Sequence, residues 1–196
     1  MIITGATDDS LEQAIVDWVN VMLAGSFSAE INEIIFGGRL IALCKTDGGI
    51  RPITVDYTLR LLAAKCANSH VIERRSQELQ PLQLGAGVTD GVEAAVHAAY
   101  ADSSRMDLPT DHAVKLDFSN AFNCVRRDVI PDAAAAKTPE IYCSVHAAYS
   151  CDPILVYGQH CLRSREGAQQ GDPLRSLEFC EAIYIRFSPT CTQKSK

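Results

Sequence analysis

The sequence has no uninterrupted run of about 18 apolar residues, so no membrane-spanning helix is expected. Its first residues, "MIITGATDDS", lack the basic start and apolar stretch of a secretory signal. An intracellular chain, cytoplasmic or nuclear and not secreted, is the expectation. There is no C-x-x-C pair among the eight cysteines, Cys44, Cys66, Cys124, Cys143, Cys151, Cys161, Cys180 and Cys191. A zinc site, which is usually built from such close pairs, is therefore disfavoured, and reduced thiols acting as small hydrophobes are expected. Positive charge is also short: 18 Lys and Arg against 24 Asp and Glu leave a net charge of -6. That weighs against a general nucleic-acid coat, which must neutralise phosphates, but leaves room for a local basic cleft. No internal repeat or low-complexity linker is present, and no aspartate follows Asp172.

What is there suffices for a core. With 196 residues, 47% of them hydrophobic, the chain is long enough for one domain or two closely packed subdomains. Apolar residues at helical spacing predict a helix over "DDSLEQAIVDWVNVMLAG", with Asp9 or Ser10 as N-cap and Gly25 as stop. "SAEINEIIFGG" adds a short helical turn. "RLIALCK" and "IRPITV" read as strands joined at "TDGG", since Asp-Gly between apolar runs signals a hairpin. A long amphipathic helix is expected from Tyr57 to Leu79, ended by Pro81, and a second over "TDGVEAAVHAAYADSS". "HAVKLDFS" reads as a strand. "CVRRDVIPDAAAAK" starts a helix that Pro131 interrupts or re-initiates. "TPEIYCSVHAAYS" predicts a helix capped by Thr138 with Pro139 at its first position. "ILVYGQHCLRSREG" alternates about Gly158 like a hairpin, and a last helix starts near Pro173.

Three stretches point to chemistry. In "VKLDFS", strand alternation sets Val114, Leu116 and Phe118 on a packed face and Lys115, Asp117 and Ser119 on an open one. A carboxylate at Asp117 is suited to Mg²⁺, a hard cation that takes oxygen ligands, and Phe122 just beyond could wall that site. In "EGAQQGDPL", Gly171 permits close approach of backbone or ligand, and Gln170 offers both donor and acceptor. In "CKTDGGIRPI", Lys45 and Arg51 flank a tight hairpin and can reach over one surface. A lysine and an arginine there suit a triphosphate, the arginine by its fork and the lysine as a point charge.

Taken in this order, "KTDGGIRPI", "VKLDFSNAFN" and "GAQQGDPL" resemble the fingers motif, the first catalytic palm motif and the nucleotide-and-template motif of reverse transcriptases of the non-LTR retrotransposon and group II intron type. The likeness runs from about Gly37 to Leu174. It implies an α+β, right-hand polymerase fold, mostly helical with a small antiparallel sheet. Residues 1–110 would form the fingers and 111–124 the palm strand. Residues 125–165 would connect fingers and palm, 166–187 would hold the palm helix, and 188–196 a polar tail.

By that resemblance Asp117 would be catalytic and would bind Mg²⁺, with the carbonyl of Phe118 nearby. Lys45 and Arg51 would hold the triphosphate of a dNTP. Phe122 would gate its sugar, and Gln170 and Gly171 would line the nucleotide and template pocket. The partners implied are an RNA template and a DNA primer. The reaction implied is attack of a primer 3′-hydroxyl on the α-phosphate across two Mg²⁺ ions. The pattern breaks after Asp172. The aromatic-x-Asp-Asp motif is missing, and the only acidic residues beyond that point are Glu178 and Glu181. Arg175 and Glu178 stand where the family tends to be small or apolar, and the thumb is absent. A fragment of a reverse transcriptase domain, catalytically incomplete alone, is the expectation. The alternative is a non-catalytic remnant that binds RNA or DNA through Arg51, Lys65, Arg74 and Arg75.

Overall fold

The glycines of the two hairpin turns set the sheet. β1 (Gly38–Cys44) and β2 (Ile50–Asp56) pair antiparallel, with Ile41 opposite Ile53. β3 (Ile154–Tyr157) and β4 (His160–Arg163) do the same, turning at Gly158, whose φ of 59° is one that residues with a Cβ rarely adopt. The computed structural model describes residues 9–46, 48–105, 116–169 and 171–187. The tail 188–196, Cys191, Asp47 in the first turn, most of the expected strand before Leu116, and Gln170 lie outside them.

The two hairpins form one four-stranded sheet of order β2-β1-β3-β4. Its central pair, β1 with β3, is parallel and short: Gly38 faces Leu155 and Arg39 faces Val156. The expected antiparallel sheet is thus a mixed one. The reason is that β1 and β3 belong to different hairpins and are joined by a long helical crossover, which allows parallel pairing.

Eight α-helices occur among the described residues. α1 (Asp9–Ala24) ends at Gly25, as expected, and Asp9 is already inside the helix rather than capping it. α2 (Ala29–Ile35) is capped by the Ser28 hydroxyl, which accepts from the Ile31 N–H. α3 (Thr58–Leu79) stops before Pro81, and α4 is Gly91–Ser103. α5 (Ala121–Cys124) is one turn long. α6 (Val129–Lys137) holds Pro131 in its first turn, where a missing N–H costs nothing, so the proline re-initiates the helix. α7 is Tyr142–Tyr149 and α8 is Arg175–Phe187. No single described helix is long and apolar enough to cross a membrane.

The core is helical. Val71 and Leu79 of α3, Ile130 and Ala134 of α6, Val145 and Tyr149 of α7, and Leu177 of α8 form one cluster. Met22 of α1, Phe36, Ala63 and Ala147 form a second beside it. Four sequence expectations change. Leu116, Asp117 and Phe118 carry no strand, and Leu116 and Phe118 are exposed rather than packed. A strand needs a neighbour to satisfy its backbone, and among the described residues the sheet pairs none with this segment. Thr138 does not cap a helix by its side chain. It is fully buried, and its hydroxyl lies 3.3 Å from Glu181 Oε2, while Pro139 opens a short 3₁₀ turn, Pro139–Ile141, ahead of α7. The described cysteines are unpaired, but only Cys180 is buried, so most do not act as core hydrophobes. Arg75, read from sequence as a surface cation, is 1% exposed.

Arg75 donates from Nε to Glu181 Oε1 at 2.7 Å and is also paired with Glu78. Removing one member of a buried pair strands the other charge, whereas replacing both by apolar groups often does not. Arg75→Ala should therefore cost about 3–5 kcal/mol, and Arg75→Met with Glu181→Met should recover most of that loss. Urea unfolding of the three proteins checks it; additive losses in the double variant would refute the coupling.

Candidate functional site

Three chain segments meet around one cavity of about 540 Å³. The β1–β2 hairpin contributes Lys45, just past β1, and Arg51, near the start of β2. The segment before α5 contributes Asp117 and Phe118, α5 contributes Phe122, and the first residue of α8 contributes Arg175. Five of the residues expected from sequence, Lys45, Arg51, Asp117, Phe118 and Phe122, thus share a cavity although the hairpin and α5 lie far apart in the chain. Asn120, at the start of α5, takes a left-handed φ of 51°, a conformation asparagine tolerates better than most residues.

The loop from Glu166 to Asp172 is held against both other segments. The Ala168 N–H donates to the Phe122 carbonyl at 2.8 Å and the Gly167 N–H to the Val125 carbonyl at 3.2 Å. At Gly167 a Cβ would fall 2.5 Å from the Asn123 backbone, so only glycine fits. Gly171, with φ 128°, sits equally close to β2: a Cβ there would come within 2.3 Å of the Thr54 carbonyl oxygen. Gly171 therefore serves strand packing and is not among the cavity residues. Arg127 fastens the loop from the other side. It donates to the carbonyls of Ser164 and Gly167 and, at 2.8 Å, to the Ser164 hydroxyl, while burial pushes its guanidinium below the usual range.

Under the loop lies a buried polar network. Arg60, 4% exposed, reaches Asp172 and donates to Gln169 Oε1 at 3.2 Å. Gln169 passes the chain on, donating to the Phe36 carbonyl at 2.8 Å. Arg60 Nη1 also lies 2.5 Å from Asp56 Oδ2. That contact is electrostatic only, because both Asp56 oxygens are buried without a hydrogen-bond partner. Burial, with Asp172 beside it, raises the Asp56 carboxyl to about 6 against the pull of Arg60. Glu178 on α8 is driven further, to about 8, chiefly by burial and then by the negative Asp172. It accepts a hydrogen bond from the Tyr149 hydroxyl at 2.7 Å.

Sequence reasoning missed Arg175, whose guanidinium carbon stands 4.5 Å from the centre of the Phe122 ring. The only signal available was its departure from a small or apolar position. Two of the cations assigned to a nucleic-acid-binding face are otherwise engaged: Arg74 pairs with Glu78 and Glu140, and Arg75 is in the core. Lys65 and Arg51 are exposed.

The donor set around Asp117 is sparse for magnesium. Among the described residues no group of three or more His, Cys, Asp or Glu side chains is arranged to hold a metal ion. Asp117 is the only carboxylate among the described residues that line the cavity. One carboxylate with water and ligand oxygens suits a single Mg²⁺. It does not suit two ions held a few Å apart, which need shared carboxylates.

No protein-family model matches this chain. A stretch of 86 residues is 30% identical to the phenylalanine–tRNA ligase alpha subunit of Streptococcus uberis (strain ATCC BAA-854 / 0140J). It takes in 43% of this chain and spans 24% of the length of that subunit. So partial a match shows no family, and nothing in it points to a polymerase.

The raised carboxyls have a measurable consequence. Folded Glu178 keeps a proton that the unfolded chain releases near its ordinary value of 4.5. Folding stability should therefore fall as pH rises from about 4.5 to about 8 and level off above. Asp56 should contribute to the same fall only up to about 6. Glu178→Gln should flatten the profile above about pH 6 and lessen, without abolishing, the slope below it, where Asp56 still contributes. Melting temperatures across this range check it, and a variant with an unaltered slope would show that Glu178 titrates normally.

Proposed function

We propose that the chain is the fingers and first palm segment of a reverse-transcriptase-type nucleotidyl transferase, and that its own residues bind a dNTP without completing transfer. The observation that supports this reading is the cavity itself. Lys45, Arg51, Asp117, Phe118 and Phe122, singled out in two separate motifs, line it together.

Polyphosphate binding follows from the charge. None of the ion pairs among the described residues involves Lys45 or Arg51. Both cations are thus left to neutralise a ligand in an otherwise acidic chain. Phe122 is held between Arg175 and Phe179, with the two phenyl centres 4.5 Å apart. A ring held by these two contacts in the cavity lining would exclude a ribose 2′-hydroxyl by contact. Asp117, exposed at the same cavity, would ligate one Mg²⁺ carried in by the triphosphate. Because the residues present do not fit a two-metal centre, no transfer step is assigned to them. Template and primer would come from elsewhere in this reading, and Lys65, exposed on α3, is the one cation of the four assigned to nucleic acid that is neither paired among the described residues nor committed to the triphosphate.

Two measurements check the proposal. Calorimetry should show dNTP binding that weakens about tenfold in Lys45→Ala and again in Arg51→Ala, each the size of one charge-assisted contact. A primer-extension assay on residues 1–196 with Mg²⁺ should give no product above background. Extension that disappears in Asp117→Ala would overturn the catalytic half of the proposal, and absence of nucleotide binding would overturn the other.

A further inference from the structure

Arg175 is the cation the motifs did not supply. It opens α8 and lines the same cavity as Lys45, Arg51 and Asp117. Its guanidinium rests against one side of Phe122, which in turn packs on Phe179 with the ring planes inclined by 44°. Stacking of this kind holds the planar guanidinium in one orientation and leaves its N–H edge available, which a lysine in its place could not reproduce.

Two further observations indicate what that edge is for. The Nε of Arg175 is buried without a hydrogen-bond partner. A buried donor left unmade is costly, so an acceptor belongs there when the site is filled. Arg175 also takes part in none of the ion pairs among the described residues, whereas Arg60, Arg74, Arg75, Arg126, Arg163 and Arg165 each have a carboxylate. Three cations without ion pairs and one carboxylate therefore line this cavity, in a chain whose net charge is -6. Such a cavity selects an anion of several charges.

We infer that Arg175 is a third phosphate-binding residue of this cavity, gripping the oxygens of a polyphosphate by its fork while Lys45 and Arg51 hold the rest, and that Phe122 acts as its positioning platform. This rests on the reading of the cavity as a dNTP site and extends it. The charge that a second metal would supply comes instead, in the bound state, from a fixed guanidinium.

The test is calorimetric titration of the full 196-residue chain with inorganic tripolyphosphate, with a dNTP and with the matching nucleoside. The wild type should bind the first two and not the third. Arg175→Ala should weaken tripolyphosphate and dNTP alike by about tenfold. Arg175→Lys, which keeps the charge and the stem but loses the fork, should fall between them. Phe122→Leu should weaken tripolyphosphate several-fold although no charge is removed, a result a purely electrostatic role would not give. Circular dichroism and melting temperature identify variants that fold, and Arg175→Lys decides the matter if Arg175→Ala does not. If Arg175→Lys and Arg175→Ala bind like the wild type, the inference is wrong and the dNTP reading stands. If the wild type binds neither tripolyphosphate nor dNTP, the reading of the cavity fails and takes this inference with it.

Discussion

One buried guanidinium organises the molecule. Arg60, on the first turn of α3, lies between Asp56 at the end of β2 and Asp172 at the end of the loop leading to α8. It thereby joins the consecutive strand and helix to a loop that is remote from both in sequence. Its desolvation is offset by two carboxylates, by Gln169, and by the Phe36 ring, whose centre is 5.3 Å from the guanidinium carbon. One cation shared by two acids leaves one acid underserved, and Asp56 is that one: its oxygens accept no hydrogen bond, and its carboxyl is the raised member. Glu178, next along, meets the same negative charge with less cationic help and stays largely protonated near neutrality. Arg60 fixes the loop on β2, and the loop fixes α5 through two backbone hydrogen bonds. The walls of the cavity stand where they do because of that sequence of contacts.

Much of this was legible in the residues, for identifiable reasons. The hairpins announced themselves because "TDGG" and Gly158 are local turn signals that act regardless of the rest of the fold. The helices were legible because apolar spacing reports a face that must be buried. Grouping Lys45 and Arg51 with Asp117 and Phe122 required motif order rather than periodicity, and the cavity brings them together. Gln170 lies outside the described residues, and Gly171 turned out to face Thr54.

The rest had no local signature. Arg75 read as an outward cation on an amphipathic helix, since charged residues are seldom buried unless paired. The acids that let Arg60 and Arg75 be buried include Asp172 and Glu181, more than a hundred positions away. Arg175 was noticed only as an exception to a pattern, because a cation at a helix start has many ordinary explanations. Of the expected strand "HAVKLDFS", the described residues Leu116–Phe118 carry none: alternation predicts which way side chains would point, not whether a neighbouring strand is there to pair with. The mixed sheet likewise depends on a partner that no window of sequence contains.

That pairing of β1 with β3 governs how the chain can assemble. Each hairpin closes on itself within a few residues, but Gly38 meets Leu155 only after everything between them has been threaded. The ladder between the hairpins is only two residues long. α3, α6 and α7, which lie between them in the chain, bury their apolar faces in one core, so the joint between the hairpins rests on helix packing far more than on strand pairing, a seam rather than a scaffold.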